Sequence, residues 1–182
     1  MAKFAASGKE TAKKDLGAFA RSYGNVYVAQ IALGGNEMQA VRALREAAAW
    51  PGPSLVIAYS TCIAHGIEMS TSMTHQKDAV GSGYWPLYRY HPSPQEGAHP
   101  FQLDSKPPTT SVSDFALAET RFSMLARSDP ERSRHLLAMA QSDVTERWRY
   151  YEQLAHVERA LPHDDGELAV APADDADQGG AS

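Results

Sequence analysis

The sequence predicts an α/β fold, with parallel strands packed by helices, then a long loop and C-terminal helices. Three observations carry that prediction. "NVYVAQIAL", Asn25 to Leu33, is rich in β-branched and apolar residues and reads as a strand. "GGNEMQAVRALREAAAW" follows with helical spacing of its apolar residues. "SLVIAY" is a second, nearly continuous apolar run, the kind buried on both faces of a parallel sheet. Strand, helix and strand within about 35 residues make a βαβ unit.

The elements can be justified in order. Met1 to Arg21 is basic and rich in small residues, with Lys3, Lys9, Lys13, Lys14 and Arg21. It does not read as a self-sufficient start to a domain, and its lysines read as a solvated run. After the first strand, Gly34 and Gly35 make a turn. Asn36 stands as N-cap, with Gln39 at capping-box spacing. Met38, Val41, Ala43, Leu44 and Ala48 supply the apolar helical face, and Pro51 and Pro53 end the helix. Residues Glu68 to Gly83 read as a helix in their later part. Tyr84 to Pro92 reads as a short strand, which Pro86 makes an edge or irregular one. His91 to Pro108, rich in Pro and Gly, reads as a long extended loop. Two helices follow. Ser113 or Asp114 caps the first; Asp129 caps the second, with Pro130 at its first position. Leu136, Leu137, Ala140, Val144, Trp148, Tyr151 and Leu154 share one face of that second helix. From Pro162 the chain is acidic and rich in small residues and reads as a disordered tail. The domain is therefore placed at residues 1–161 and the tail at 162–182.

Composition narrows the function. The chain has 182 residues, 43% of them hydrophobic and 21% charged, with a formal charge of -5. That charge argues against general nucleic-acid binding, which needs a basic face. No apolar run approaches the roughly 20 residues that span a bilayer, and the N-terminus lacks a signal-peptide core. The expected location is the cytoplasm. A single cysteine, Cys62, excludes an internal disulfide and any all-cysteine metal site built by one copy of the chain. Read from the residues alone, Cys62 is a packing residue, a nucleophile or one metal ligand.

Several segments carry a resemblance: "KFAASGK", "KKDLG", "YGNVYVAQIALGGNEMQ", "GPSLVIAYSTCIAHGI", "SGYWPLYRYHP", and "PFQLDSKPP" followed by "AETRFSML". Together they resemble the pyruvate:ferredoxin (flavodoxin) oxidoreductases from about Ala2 to Ala155. The resemblance implies the C-terminal part of that family's thiamine-diphosphate-binding domain, hence a partial thiamine-diphosphate-binding fold. It implies oxidative decarboxylation of pyruvate with coenzyme A to acetyl-CoA and CO2. Electrons leave through iron–sulfur clusters to ferredoxin or flavodoxin, and the enzyme is a homo-oligomer. Residue by residue, it implies that Cys62 is the fourth ligand of the 4Fe–4S cluster nearest the thiamine, the other three lying far upstream. The family's "GDG" and "NTGGQ" motifs, which hold the diphosphate and Mg2+, do not occur in this sequence. The resemblance thus places Met1 inside a domain. It leads us to expect a truncated gene, a split subunit or a start assigned within a longer frame, and an isolated chain that is inactive.

Other residues were weighed against plainer roles. Asn36 could approach the cofactor edge from a helix start, with simple N-capping as the alternative. His65 lies three residues beyond Cys62, and a thiol–imidazole pair is a possible nucleophile and base; a loop histidine is the simpler reading. Glu68 and Glu119 have no evident partner in the sequence. Tyr84, Trp85, Tyr88 and Tyr90 read as core and interface aromatics. A rival reading keeps the whole chain as a non-catalytic α/β interaction module.

Overall fold

The computed structural model describes residues 14–94 and 98–157, except for the side chain of His65. Most of the basic N-terminal run and the whole acidic tail lie outside the described residues. Four strands form one mixed sheet: β1 (Tyr27–Ile31), β2 (Ser54–Ala58), β3 (Tyr88–Tyr90) and β4 (Phe101–Leu103). Their order is β2-β1-β3-β4. β1 and β2 run parallel, with Ala29 opposite Val56. β3 is antiparallel to β1, with Ala29 opposite Arg89, and β4 is antiparallel to β3. The predicted βαβ unit is thus present, closed by α2 (Glu37–Ala49), and an antiparallel hairpin extends the sheet beyond it.

Alternation along the strands divides the core. Val28, Tyr88, Tyr90 and Phe101 face α1 (Leu16–Arg21) and α6 (Pro130–Leu154), where Ala20 and Tyr151 join them. On this side the Arg21 guanidinium lies over the rings of Phe101, Tyr88 and Tyr151. The Tyr151 hydroxyl donates to Asp15 Oδ2 at 2.7 Å across 136 residues of chain. Burial pushes the Tyr88 phenol up to about 12, with the Asp15 carboxylate adding to the shift. On the opposite face, Tyr27, Ala29 and Ile31 pack beneath Ala40 and Ala43 of α2. Buried Arg89 emerges there and binds Asp104 through Nε and Nη2, both at 2.8 Å. It also donates to Glu46 and to Gln102, each at 2.6 Å. Burial alone would lower the Arg89 pKa, but the Asp104 and Glu46 carboxylates raise it overall. A third cluster closes the carboxyl end of the sheet. There Ala32, Trp85 and Leu87 meet Ala79 of α3 (Ser72–Gly81) and Phe115 of α4 (Val112–Leu117).

Five expectations are corrected. The buried face of α2 is Gln39, Ala40 and Ala43, whereas Met38, Val41 and Leu44 are 74%, 50% and 53% exposed. Alanines let the helix approach the strands closely. Gln39 is buried because its amide bridges Gln30 O and Asp104 Oδ2. β3 is interior and not an edge, because Pro86 precedes the strand and its missing N–H falls outside the ladder; its carbonyl accepts from Gln30 Nε2. The stretch read as one long loop contains β4, joined to β3 by His91 N–H to Pro100 O. Three helices, not two, follow: α4, α5 (Thr120–Ser128) and α6. Ser111, not Ser113 or Asp114, caps α4, while Asp129 caps α6 with Pro130 in its first turn.

Candidate functional site

The carboxyl ends of β1 and β2 lie side by side because these strands are parallel and paired through Ile31 and Ala58. β1 leaves the sheet in a turn closed by Gly35 N–H and Asn36 N–H, both donating to Ala32 O at 3.0 Å. Gly34 lies so close to α3 that a Cβ there would sit 2.3 Å from Met73 O. Its amide donates to the buried Gln76 Oε1. Asn36 is exposed and caps α2, its Oδ1 accepting from Gln39 N–H at 3.0 Å. The plainer of the two readings of Asn36, the N-cap, is thus seen directly.

β2 continues through Tyr59, whose N–H donates to Ile31 O. Burial, reinforced by the Glu119 charge, pushes the Tyr59 phenol above its ordinary value. Thr61 is buried and its Oγ1 shares a 2.5 Å hydrogen bond with Ser72 Oγ, at the first residue of α3. Cys62 comes next, exposed and free. Its extended backbone opens a single 3-10 turn, Ile63–His65. Gly66 ends that turn at φ +73, in the left-handed region that favours glycine. The Gly66 carbonyl accepts from Thr120 Oγ1 at 2.8 Å. A Cβ on Gly66 would sit 2.4 Å from that of Thr120.

Beneath this turn lies a buried polar cluster. His75 and Glu119 are 6% and 1% exposed and meet at 3.0 Å through Nε2 and Oε1. The other carboxylate oxygen of Glu119 pairs with Arg121. The His75 ring stacks on Phe115. Glu119 had no partner in the sequence reading; here it has two. Glu68, the other carboxylate singled out, is exposed and accepts only from Ser70 Oγ among the hydrogen bonds and ion pairs of its described side chain. The side chain of His65, read mainly as a loop histidine with a base role for Cys62 as the lesser alternative, lies outside the described residues. His75, Thr120 and Arg121 were not singled out from the sequence. His75 and Glu119 are 44 residues apart, so no local spacing announces the pair.

Chemically, the turn offers one exposed thiol, without a hydrogen bond among the described residues, at a sheet end where α/β folds place ligands. One thiolate fits one corner of a 4Fe–4S cluster, which takes four ligands. No group of three or more His, Cys, Asp or Glu among the described residues could hold a metal ion. The same residues provide no carboxylate cluster suited to Mg2+, and Asn36 is engaged as a cap. They therefore fit a single cluster ligand and do not fit a diphosphate–Mg2+ site.

Fold and site define the class first: an α/β segment in which a lone thiol stands at the carboxyl end of a parallel strand pair. The relatives are more particular. The chain is 54% identical over 156 residues to the pyruvate-flavodoxin oxidoreductase of Nostoc sp.. It is 51% identical over 156 residues to the pyruvate:ferredoxin oxidoreductase of Moorella thermoacetica, and 51% identical over 158 residues to the pyruvate-flavodoxin oxidoreductase of Klebsiella pneumoniae. Each match covers 85% of this chain but only 13%, 13% and 14% of the respective relative. The resemblance read from the sequence is thereby shown, for one segment of these enzymes. No family model matches the chain.

Proposed function

We propose that this chain serves as one segment of an oxidoreductase of the pyruvate:ferredoxin (flavodoxin) type. The full enzyme would decarboxylate pyruvate oxidatively with coenzyme A, giving acetyl-CoA and CO2, and pass electrons to ferredoxin or flavodoxin. Thiamine diphosphate and Mg2+ would be held by parts of the enzyme outside this chain. Cys62 would supply one thiolate to a 4Fe–4S cluster, the other ligands coming from outside the chain. When bound, such a cluster carries electrons one at a time at a potential set by its surroundings. The chain's own contribution is to hold the Cys62 sulfur outward at the sheet end, with Thr61 and Gly66 fixing the turn on either side. The observation that carries this reading is the exposed, free thiol in a chain 54% identical to a pyruvate-flavodoxin oxidoreductase. The family resemblance implies a cytoplasmic enzyme assembled as a homo-oligomer; no helix among the described residues is long and apolar enough to cross a membrane.

Alone, the chain is proposed to be inactive, because it spans so little of its relatives. The test is reconstitution with the remaining part of such an enzyme, followed by electron paramagnetic resonance and ferredoxin reduction. Cys62→Ala should remove the cluster signal and cripple ferredoxin reduction, while His65→Ala should change little. A full cluster complement in Cys62→Ala would overturn the ligand assignment. Normal reduction by an assembly lacking this chain would instead favour a non-catalytic interaction module.

A further inference from the structure

The residues on either side of Cys62 are anchored to two different helices, and a buried His75–Glu119 hydrogen bond joins those helices. Thr61, just before Cys62, is tied to Ser72 at the start of α3. Gly66, just after the turn, is tied to Thr120 at the start of α5. One turn further along α3, His75 meets Glu119, the residue that precedes Thr120. Glu119 is also the N-cap of α5, its carbonyl accepting from Phe122 N–H and Ser123 N–H. These links close a ring: Thr61, Ser72, His75, Glu119, Thr120, Gly66. The turn that carries Cys62 bridges one side of that ring, and Gly66 N–H to Ile63 O at 2.9 Å tightens it further.

Glu119 is far more buried than a helix cap requires. Caps normally sit at a wet helix end, and a buried carboxylate is costly unless paired. Here the pairing with His75 and Arg121 also fixes where Thr120 begins its helix. Thr120 in turn spends its hydroxyl on the Gly66 carbonyl, and leaves Gly66 no room for a side chain. We infer that Thr120 is a positioning residue for the Cys62 sulfur, and that the His75–Glu119–Arg121 cluster is the buried brace that holds Thr120 in place. The brace acts on Cys62 through backbone geometry and not by contact. This rests on the reading of Cys62 as a cluster ligand, since a ligand must be held within a fraction of an ångström while a surface thiol need not be.

Cys62 is the only cysteine in the chain, so a nitroxide attached there reports on the turn alone. In the full 182-residue chain, the label should give a restricted spectrum. Thr120→Val removes the hydroxyl but keeps the branched shape, and should make a mobile component dominant. Thr120→Ser keeps the hydroxyl and should restore the restricted spectrum. As control, a label at Ser142→Cys in a Cys62→Ser background should be unaffected by Thr120→Val, because position 142 lies on the exposed side of α6. A mobile label in the unsubstituted turn, an unmoved spectrum in Thr120→Val, failure of Thr120→Ser to rescue, or equal loosening at position 142 would each overturn the inference. In the reconstituted enzyme, Thr120→Val should shift the midpoint potential or the line shape of the cluster, and Thr120→Ser should return it. A cluster unmoved by Thr120→Val but lost in Cys62→Ala would remove the brace and leave the ligand reading standing. A cluster retained in Cys62→Ala would remove the ligand reading, while the label spectra would still judge the brace.

Discussion

β1 has two neighbours, and they differ sharply. On one side, β3 is buried at every residue: Tyr88, Arg89 and Tyr90 are all inside. It is flanked by β4, backed by the Tyr151 ring of α6 and tied to α2 by the Arg89 network. On the other side, β2 is exposed at both ends and only half-buried between them. It is the last strand of the sheet, and the helix above it turns Met38, Val41 and Leu44 outward. Both strands pair with β1, so hydrogen bonding does not separate them. Cover does. Burial of apolar area scales stability, so the β3 flank carries most of it, while the Cys62 turn issues from the lightly covered flank. The exposed β2 edge also leaves backbone donors and acceptors available to a further strand.

The contrast can be broken most decisively at Arg89. Arg89→Met should lower the unfolding free energy by about 3–5 kcal/mol, the usual cost of removing one partner from a buried ion pair. Asp104 would keep only the Gln39 amide, and Glu46 only the Tyr27 hydroxyl. Urea denaturation would measure it, and a loss below about 1 kcal/mol would mean that the β3 flank is not the stronger one.

Alkali tests the same flank. Tyr27, Tyr88 and Tyr151 are held neutral by burial, each raised above the ordinary value of 10.0. Once unfolded, these phenols lose protons near pH 10 while the folded ones keep theirs. Their stabilising contribution is thus complete below pH 10 and is lost as pH rises through the folded values, about 12 for Tyr88. Denaturation midpoints should be insensitive to these groups up to pH 10 and fall beyond it. The tyrosinate absorbance contributed by these three buried phenols, read as the difference from their Tyr→Phe variants, should appear together with unfolding rather than before it.

A smaller and paired test compares the strands directly. Val28 on β1 is fully buried and Val56 on β2 is only partly so. Val28→Ala should cost about 2 kcal/mol and Val56→Ala less than about 1 kcal/mol. Equal costs would show that β2 is better covered than its exposure indicates. The smallest effect is expected on α2. Leu44→Glu should change stability by no more than about 0.5 kcal/mol, as for most surface substitutions. A large loss would restore the outward residues to the core.

The α2 result shows where sequence pattern stops being informative. The helix itself, its N-cap and its flanking strands were legible, because caps, turn glycines and β-branched runs are local signals. The face was not, because the bulky residues at helical spacing mark a stripe without saying which stripe meets the sheet. Small side chains won that position by permitting close approach. Pro86 misled for a related reason: a proline bars a strand only from the ladder position it occupies, and this one falls before the ladder. β4 has three residues in a proline-rich stretch, and only its partner strand makes it a strand. At the candidate site, the placement of Cys62 beyond an apolar strand was legible. The brace was not, since Glu119 and His75 meet through tertiary packing.

The bond between Asp15 and Tyr151 has a consequence for the order of events in folding. Its two ends are separated by 136 residues, nearly the whole described chain, so it closes a loop whose entropic cost must be met before this bond can form. The βαβ unit and the β3–β4 hairpin close much shorter loops and can form earlier. The Asp15–Tyr151 bond should therefore form late, after α6 has brought Tyr151 to the sheet, and Tyr151→Phe should hasten unfolding while leaving the refolding rate nearly unchanged.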